Sequence, residues 1–155
     1  MRRTRRTILL LMVMAAMLVL ASGVALALVR SGGPGDDTLR GTNGPDTLSG
    51  GGAADEIYGR AGSDTIDGGA GRDIVLGGKG TDTVAGGAGD DFLADGPFRE
   101  FQRDVLDGGD GNDEVSAFNS PASRDIVGCG DGFDRAEVDR KDIVGEDCER
   151  VLHFF

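Results

Sequence analysis

Between residues 32 and 94 the chain repeats one apolar and polar pattern every nine residues, without a gap: GGPGDDTLR, GTNGPDTLS, GGGAADEIY, GRAGSDTID, GGAGRDIVL, GGKGTDTVA and GGAGDDFLA. The eighth place is always aliphatic, at Leu39, Leu48, Ile57, Ile66, Val75, Val84 and Leu93, and the sixth is always aspartate, at Asp37, Asp46, Asp55, Asp64, Asp73, Asp82 and Asp91. Glycine opens every row and returns in fourth place except at Ala53. A single apolar position recurring at every ninth residue predicts stacked short units, half turn and half strand, whose aliphatic residues form one continuous core. A solvated Gly-rich linker has no reason to keep an aliphatic residue two places after each aspartate.

Such units wind as a flattened coil with two rows per revolution. Asp37, Asp55, Asp73 and Asp91 then line one edge, and Asp46, Asp64 and Asp82 the other. Adjacent coils of a parallel sheet are about 4.8 Å apart, and two carboxylates at that range repel by roughly 3 kcal/mol at an effective dielectric of about 20. A hard cation between them reverses the sign. Carboxylate and backbone carbonyl oxygens suit Ca²⁺, whereas Mg²⁺ demands stricter octahedral geometry and holds its water.

On these registered columns the chain resembles the repeats-in-toxin (RTX) family, whose nonapeptide reads GGxGxDxUx with U a large aliphatic residue. The resemblance implies an all-β fold: a parallel β-roll, or right-handed β-helix solenoid of nonapeptide repeats, with a C-terminal cap. In it the six-residue Gly/Asp turns bind several Ca²⁺ ions and the last three residues of each row form a short strand. The implied metal-binding side chains are Asp37, Asp46, Asp55, Asp64, Asp73, Asp82, Asp91 and, in the later row GGDGNDEVS, Asp113. Turn backbone is expected to contribute at Gly69, Gly71, Gly78, Gly80, Gly87 and Gly89. Rows five to seven follow the family pattern most closely, which makes Asp73, Asp82 and Asp91 the foremost ligands. Ala53, Thr42 and Arg60 depart from the pattern and mark weaker turns.

After Ala94 the period breaks and recovers: Asp104 precedes Leu106, Asp113 precedes Val115 and Asp125 precedes Val127, each by two places. In GCGDGFD, Cys129 takes the place of the second glycine and Asp134 that of the aspartate. Residues 95–155 therefore read as degenerate coils plus a cap over the open strand edges. Phe98, Phe101, Phe118, Phe133, Val151, Leu152, Phe154 and Phe155 supply its bulk.

The N-terminus changes the destination of the chain. Residues 1–27 combine a basic start, an apolar run from Ile8 to Leu20 and the small-residue site Ala25-Leu26-Ala27, the pattern of a cleaved export signal, followed by a short linker at 28–31. The alternative is a retained membrane anchor, since Ile8 to Val29 is long enough to span a bilayer. In either case the repeats are expected outside the cytoplasm, secreted or held at the cell surface, with membrane contact only if the N-terminal segment is retained. In an exported chain the pair Cys129 and Cys148 reads as a disulfide.

Removing Arg2, Arg3, Arg5 and Arg6 takes the formal net charge from −11 to −15. That disfavours nucleic acid as a partner and leaves calcium as the natural one, with any extracellular or cell-surface partner unspecified. The one histidine, His153, stands between Leu152 and Phe154, so no zinc protease motif or serviced triad is present, and no tryptophan is available to line a glycosidase cleft. The chain reads as a non-enzymatic, exported calcium-binding protein whose folding the ions drive. The alternatives are a structural or adhesive surface module and, on the strength of Thr38, Thr47, Thr65 and Thr83 in seventh place, an ice-binding β-roll interrupted by Glu56, Ile74 and Phe92.

Overall fold

Each eighth-place aliphatic lies in the middle of a strand, and the strands stack at the spacing of two rows. The computed structural model describes residues 26–96, 101–118 and 123–154, so the leader at 1–25, Phe98 and Phe155 lie outside the described residues. The strands are β1 (Val29–Ser31), β2 (Thr38–Arg40), β3 (Thr47–Gly52), β4 (Glu56–Ala61), β5 (Thr65–Ala70), β6 (Ile74–Lys79), β7 (Thr83–Ala88) and β8 (Phe92–Ala94), continuing as β9 (Val105–Asp110), β10 (Glu114–Ala117), β11 (Ile126–Asp131), β12 (Arg135–Val138), β13 (Ile143–Val144) and β14 (Arg150–His153). Odd strands form one seven-stranded parallel sheet in the order β1-β3-β5-β7-β9-β11-β13, and even strands the other. The chain is an all-β parallel solenoid.

Register follows the two-row coil. Leu48 pairs with Ile66 and Ile66 with Val84 in the odd sheet, and Ile57 with Val75 in the even sheet. The insertion before Asp104 is absorbed without loss of register, since Val84 pairs with Leu106. Residues 28–31, read as a linker, carry β1, whose Arg30 pairs with Leu48. The stack thus begins half a coil before Gly32.

Full-length strands are six residues long rather than three. They run through the seventh, eighth and ninth places and on into the first three of the next row, so that only three residues turn the corner. The alternation in β5 is exposed, buried, exposed, buried: Ile66 and the first-place Gly68 both point inward. Without a side chain at the second inward position the two sheets converge, and a single aliphatic residue per strand fills the space between them. Leu39, Leu48, Ile57, Ile66, Val75, Val84, Leu93, Leu106, Val115 and Val127 form this core.

The C-terminal coils close the stack differently. Cys129 and Cys148 are joined by a disulfide with Cα atoms 5.1 Å apart; by the chain-entropy estimate a loop of this size contributes about 3 kcal/mol. Gly109 pairs with Gly130, so Cys129 occupies the first-glycine place, not the second. The next coil explains how a side chain fits there. Four residues separate Gly145 from Arg150 where six separate Gly128 from Arg135, and the shortened turn leaves room that Cys148 fills. Phe118 and Phe154 stack with ring centroids 4.9 Å apart, while Val144 and Val151 pack against the core. Phe101 and Phe133, expected in the cap, are instead exposed, because the thin core offers no depth for a large ring outside its ends.

Two outcomes follow from this packing. Ile66→Ala should cost about 2–5 kcal/mol in chemical denaturation, whereas Ile74→Ala, at a residue 41% exposed, should stay within about 0.5 kcal/mol. Alkylation of exported protein without reductant, read by intact mass, should modify neither cysteine.

Candidate metal centre

The aspartate of each row stands where the chain leaves its turn and enters a strand, and its side chain folds under the turn. On the first edge, Oδ1 of Asp55 accepts the backbone N–H of Asp37 at 2.7 Å, and Asp73 accepts that of Asp55, and Asp91 that of Asp73, at 2.8 Å. Asp113, Asp134 and finally Glu149 continue the ladder. On the second edge Asp46 accepts from Leu28, Asp64 from Asp46, Asp82 from Asp64, Asp104 from Asp82, Asp125 from Asp104 and Asp142 from Asp125. Each sixth-place residue thus uses its N–H toward the next coil and one carboxylate oxygen toward the previous one.

The second oxygen is different. Oδ2 of Asp55, Asp64, Asp73, Asp91, Asp104, Asp113 and Asp134 is buried with no hydrogen-bond partner among the described residues. A buried acceptor left unpaired costs about 1–3 kcal/mol, and here the deficit recurs from coil to coil, whereas at Asp125 the Ser123 hydroxyl donates to Oδ2 at 2.8 Å. In the rows of Asp55, Asp64, Asp73, Asp91 and Asp113 what faces this oxygen is the first-place glycine of the same row. A Cβ built on Gly68 would fall 2.6 Å from Asp73 Oδ2 and still closer to the carbonyl oxygen of Gly86, one coil on. On Gly77 it would fall 2.9 Å from Asp82 Oδ2 and 2.8 Å from the carbonyl of Asp95. A carboxylate and a carbonyl oxygen therefore converge on a spot that only glycine leaves open, and hard oxygen donors of this kind fit Ca²⁺.

The terminal turns close on themselves. Gly33 N–H donates to Asp37 Oδ2 at 2.7 Å, and Thr42 N–H to Asp46 Oδ2 at 2.5 Å with help from its own hydroxyl. Of the eight aspartates expected from the sequence, Asp55, Asp64, Asp73, Asp91 and Asp113 keep an oxygen without a hydrogen-bond partner among the described residues, Asp82 sets its Oδ2 against Gly77, and Asp37 and Asp46 turn theirs onto the protein. Asp104 and Asp134 share the unpartnered arrangement and were missing from the expected set; the Asp-x-aliphatic pair was their signal, at Asp104 with Leu106 and Asp134 with Ala136. Among the turn glycines, the carbonyls of Gly69, Gly71, Gly78, Gly87 and Gly89 lie against the residue one coil on, and Gly80 lies against the carbonyl of Gly62. Among the described residues no three acidic, histidine or cysteine side chains converge into a ready-made cluster, so carboxylates enter singly and backbone supplies the rest.

The two edges diverge toward the C-terminus. The first edge keeps glycine in first place through Gly86 and Gly108. On the second, register sets Asp95, Ala117 and Val138 in the column of Gly77, and the side chains of Ala117 and Val138 are fully buried there. Apolar groups replace the oxygen-lined space.

Electrostatics follow geometry. Burial, reinforced by neighbouring carboxylates and opposed by the accepted N–H, raises the pKa of Asp64, Asp73, Asp113 and Asp134, that of Asp91 to about 7 and that of Asp104 to about 8. Proton or metal ion must neutralise such groups.

A parallel solenoid with unpartnered carboxylate oxygens opposite glycine at successive turns is a calcium-binding β-roll. The RTX calcium-binding nonapeptide repeat (4 copies) matches residues 31–66, 58–93 and 101–117, and the chain belongs to this family. No curated protein and no solved structure matches the chain.

The raised pKa values fix the direction of pH dependence. Without metal, the folded state holds protons that the unfolded chain, with aspartates near 3.9, releases. Stability is present in full below about pH 4 and lost as pH rises through about 7 to 8. Urea denaturation in chelator should therefore show greater resistance at pH 5 than at pH 8.5, with Ca²⁺ abolishing the loss. Backbone conformation gives a second outcome. Ala53 and Arg60 adopt φ of 73° and 82° in turns where glycine is otherwise used; Ala53→Gly should stabilise by about 1 kcal/mol, whereas Gly71→Ala, at φ 134° against the carbonyl of Ala53, should destabilise by more than about 2 kcal/mol.

Proposed function

We propose that this is an exported, non-enzymatic protein in which Ca²⁺ drives folding of the β-roll. The observation that carries the reading is the recurring buried Oδ2 without a partner, opposite first-place glycine. Asp55, Asp73, Asp91 and Asp113 on the first edge, and Asp64 and Asp82 on the second, supply the principal carboxylates. Asp37 and Asp46 close the outer turns, and the carbonyls around Gly69, Gly71, Gly78, Gly80, Gly87 and Gly89 supply the backbone donors. When bound, the ion supplies positive charge between successive turns; the chain orients one carboxylate oxygen toward it and excludes side chains from its place.

Support for export comes from the basic and apolar leader, the disulfide and the acidic remainder. Among the described residues no helix is long and apolar enough to cross a membrane; a retained N-terminal segment would make the protein a surface-anchored module. His153 is exposed at the end of β14, which supports a structural rather than catalytic role. Thr47, Thr65 and Thr83 do stack in direct register on the odd sheet. The column beside them reads Ser49, Asp67 and Ala85, so the flat two-column threonine array that ice binding requires is not formed, and that reading is not pursued.

Circular dichroism during a Ca²⁺ titration tests the proposal. At affinities near those of extracellular modules, about 10⁻⁴ to 10⁻³ M, millimolar Ca²⁺ should induce β structure steeply and chelator should reverse it, since each filled site adds RT ln(1 + [L]/Kd). Asp73→Ala should shift the midpoint further than Asp37→Ala, whose Oδ2 already holds Gly33 N–H. A chain fully folded in excess chelator at neutral pH, with a titration unmoved by Asp73→Ala, would overturn the mechanism.

A further inference from the structure

The second-edge ladder needs an N–H donor one coil before Asp46, and Leu28 supplies it at 2.7 Å. In register, Leu28 stands in the aspartate place of an incomplete row whose strand half is β1, since Val29 pairs with Thr47. Asp46 is only 3% exposed, and Thr42 grips the same carboxylate through its N–H at 2.5 Å and its hydroxyl at 3.1 Å. Asp64, one coil further along this edge, has an oxygen with no hydrogen-bond partner among the described residues. Asp46 therefore has its donors from the protein, and the nitrogen of Leu28 is among them.

That nitrogen belongs to the bond that follows Ala25-Leu26-Ala27. Leu26 and Ala27 are exposed, and the Leu26 carbonyl accepts a long 3.4 Å bond from the Thr42 hydroxyl. Cleavage between Ala27 and Leu28 falls just before the last turn residue of a row, and removes nothing that the ladder uses.

We propose that the mature chain begins at Leu28 and that its α-ammonium caps the second-edge ladder on Asp46 Oδ1, standing where interior turns place the backbone N–H of a sixth-place residue. The proposal rests on the export reading given above. A leader peptidase of the export route hydrolyses the Ala27–Leu28 amide: the C–N bond breaks, hydroxyl from water goes to the Ala27 carbonyl carbon, and the leaving nitrogen takes a proton. The acid formed on Ala27 ionises, and at neutral pH the amine is held as ammonium. A neutral N–H bond to a buried carboxylate becomes a charge-assisted one, which is roughly twice as strong. Processing thereby adds stability to the first coil, and the precursor lacks it.

The test uses full-length precursor expressed in an exporting host. Mass spectrometry of the recovered protein should give Leu28 as its first residue. Selective acetylation of that α-amine should lower the folding equilibrium constant about fivefold, read by urea denaturation at fixed Ca²⁺, and should have little effect in the Asp46→Asn protein. Recovery at the cell surface with the N-terminal segment intact would sink this proposal alone, and recovery in the cytoplasm would sink the export reading with it. A mature terminus at another residue, or a Leu28 terminus whose acetylation changes nothing or changes wild type and Asp46→Asn equally, would sink this proposal alone.

Discussion

One buried carboxylate per turn, half satisfied, is the constraint from which the rest of this structure follows. Its Oδ1 accepts the N–H that would otherwise be orphaned where the chain passes from turn to strand, as between Asp55 and Asp73. Its Oδ2 faces a point that glycine keeps empty. The fold is thus built to bury charge and leaves the neutralising partner to be supplied from solution. A core of one aliphatic residue per strand would not by itself offset that cost, and the raised pKa values of Asp91 and Asp104 express the same imbalance in terms of protons.

Glycine enters for two separate reasons. First-place glycine is required by space, since a methyl group there meets both the carboxylate and the next coil's carbonyl. Fourth-place glycine is required by backbone conformation, with φ of 134° at Gly71 and 129° at Gly80. The fourth place tolerates a departure, as Ala53 shows, because strain at one turn can be borne by its neighbours. The first place tolerates one only where the adjacent turn is rebuilt: Cys129 fits because the coil beyond it is two residues shorter, and Ala117 and Val138 fit on an edge that no longer keeps an oxygen-lined space.

The column pattern of residues 32–94 was enough to read the two-row coil, the two aspartate ladders and the inward aliphatic residues, because each is set by a period and a period survives in one sequence. What depended on the third dimension was harder to read. Strand length was underestimated because glycine-rich residues carry little strand propensity, yet Gly51 and Gly69 pair in register across coils. The place of Cys129 was misjudged by one because GCGDGFD offers two alignments and only pairing with Gly109 and its neighbours selects one. Asp142, which ends the second ladder, carries the Asp-x-aliphatic signal with Val144, whereas Glu149, which ends the first, has glutamate in the aspartate place; the exposure of Phe101 and Phe133 reflects a core too thin to admit them.

The ladders also give the molecule the character of a polyelectrolyte. With coils about 4.8 Å apart and a carboxyl group on each edge, side chains that become charged once their protons leave recur about every 2.4 Å along the stack, approaching the roughly 1.7 Å charge spacing of duplex DNA. Such a line of charge gathers monovalent counterions along its length, and divalent ions entering the turns release them. Release of that kind would make calcium uptake depend on the surrounding salt as well as on each turn.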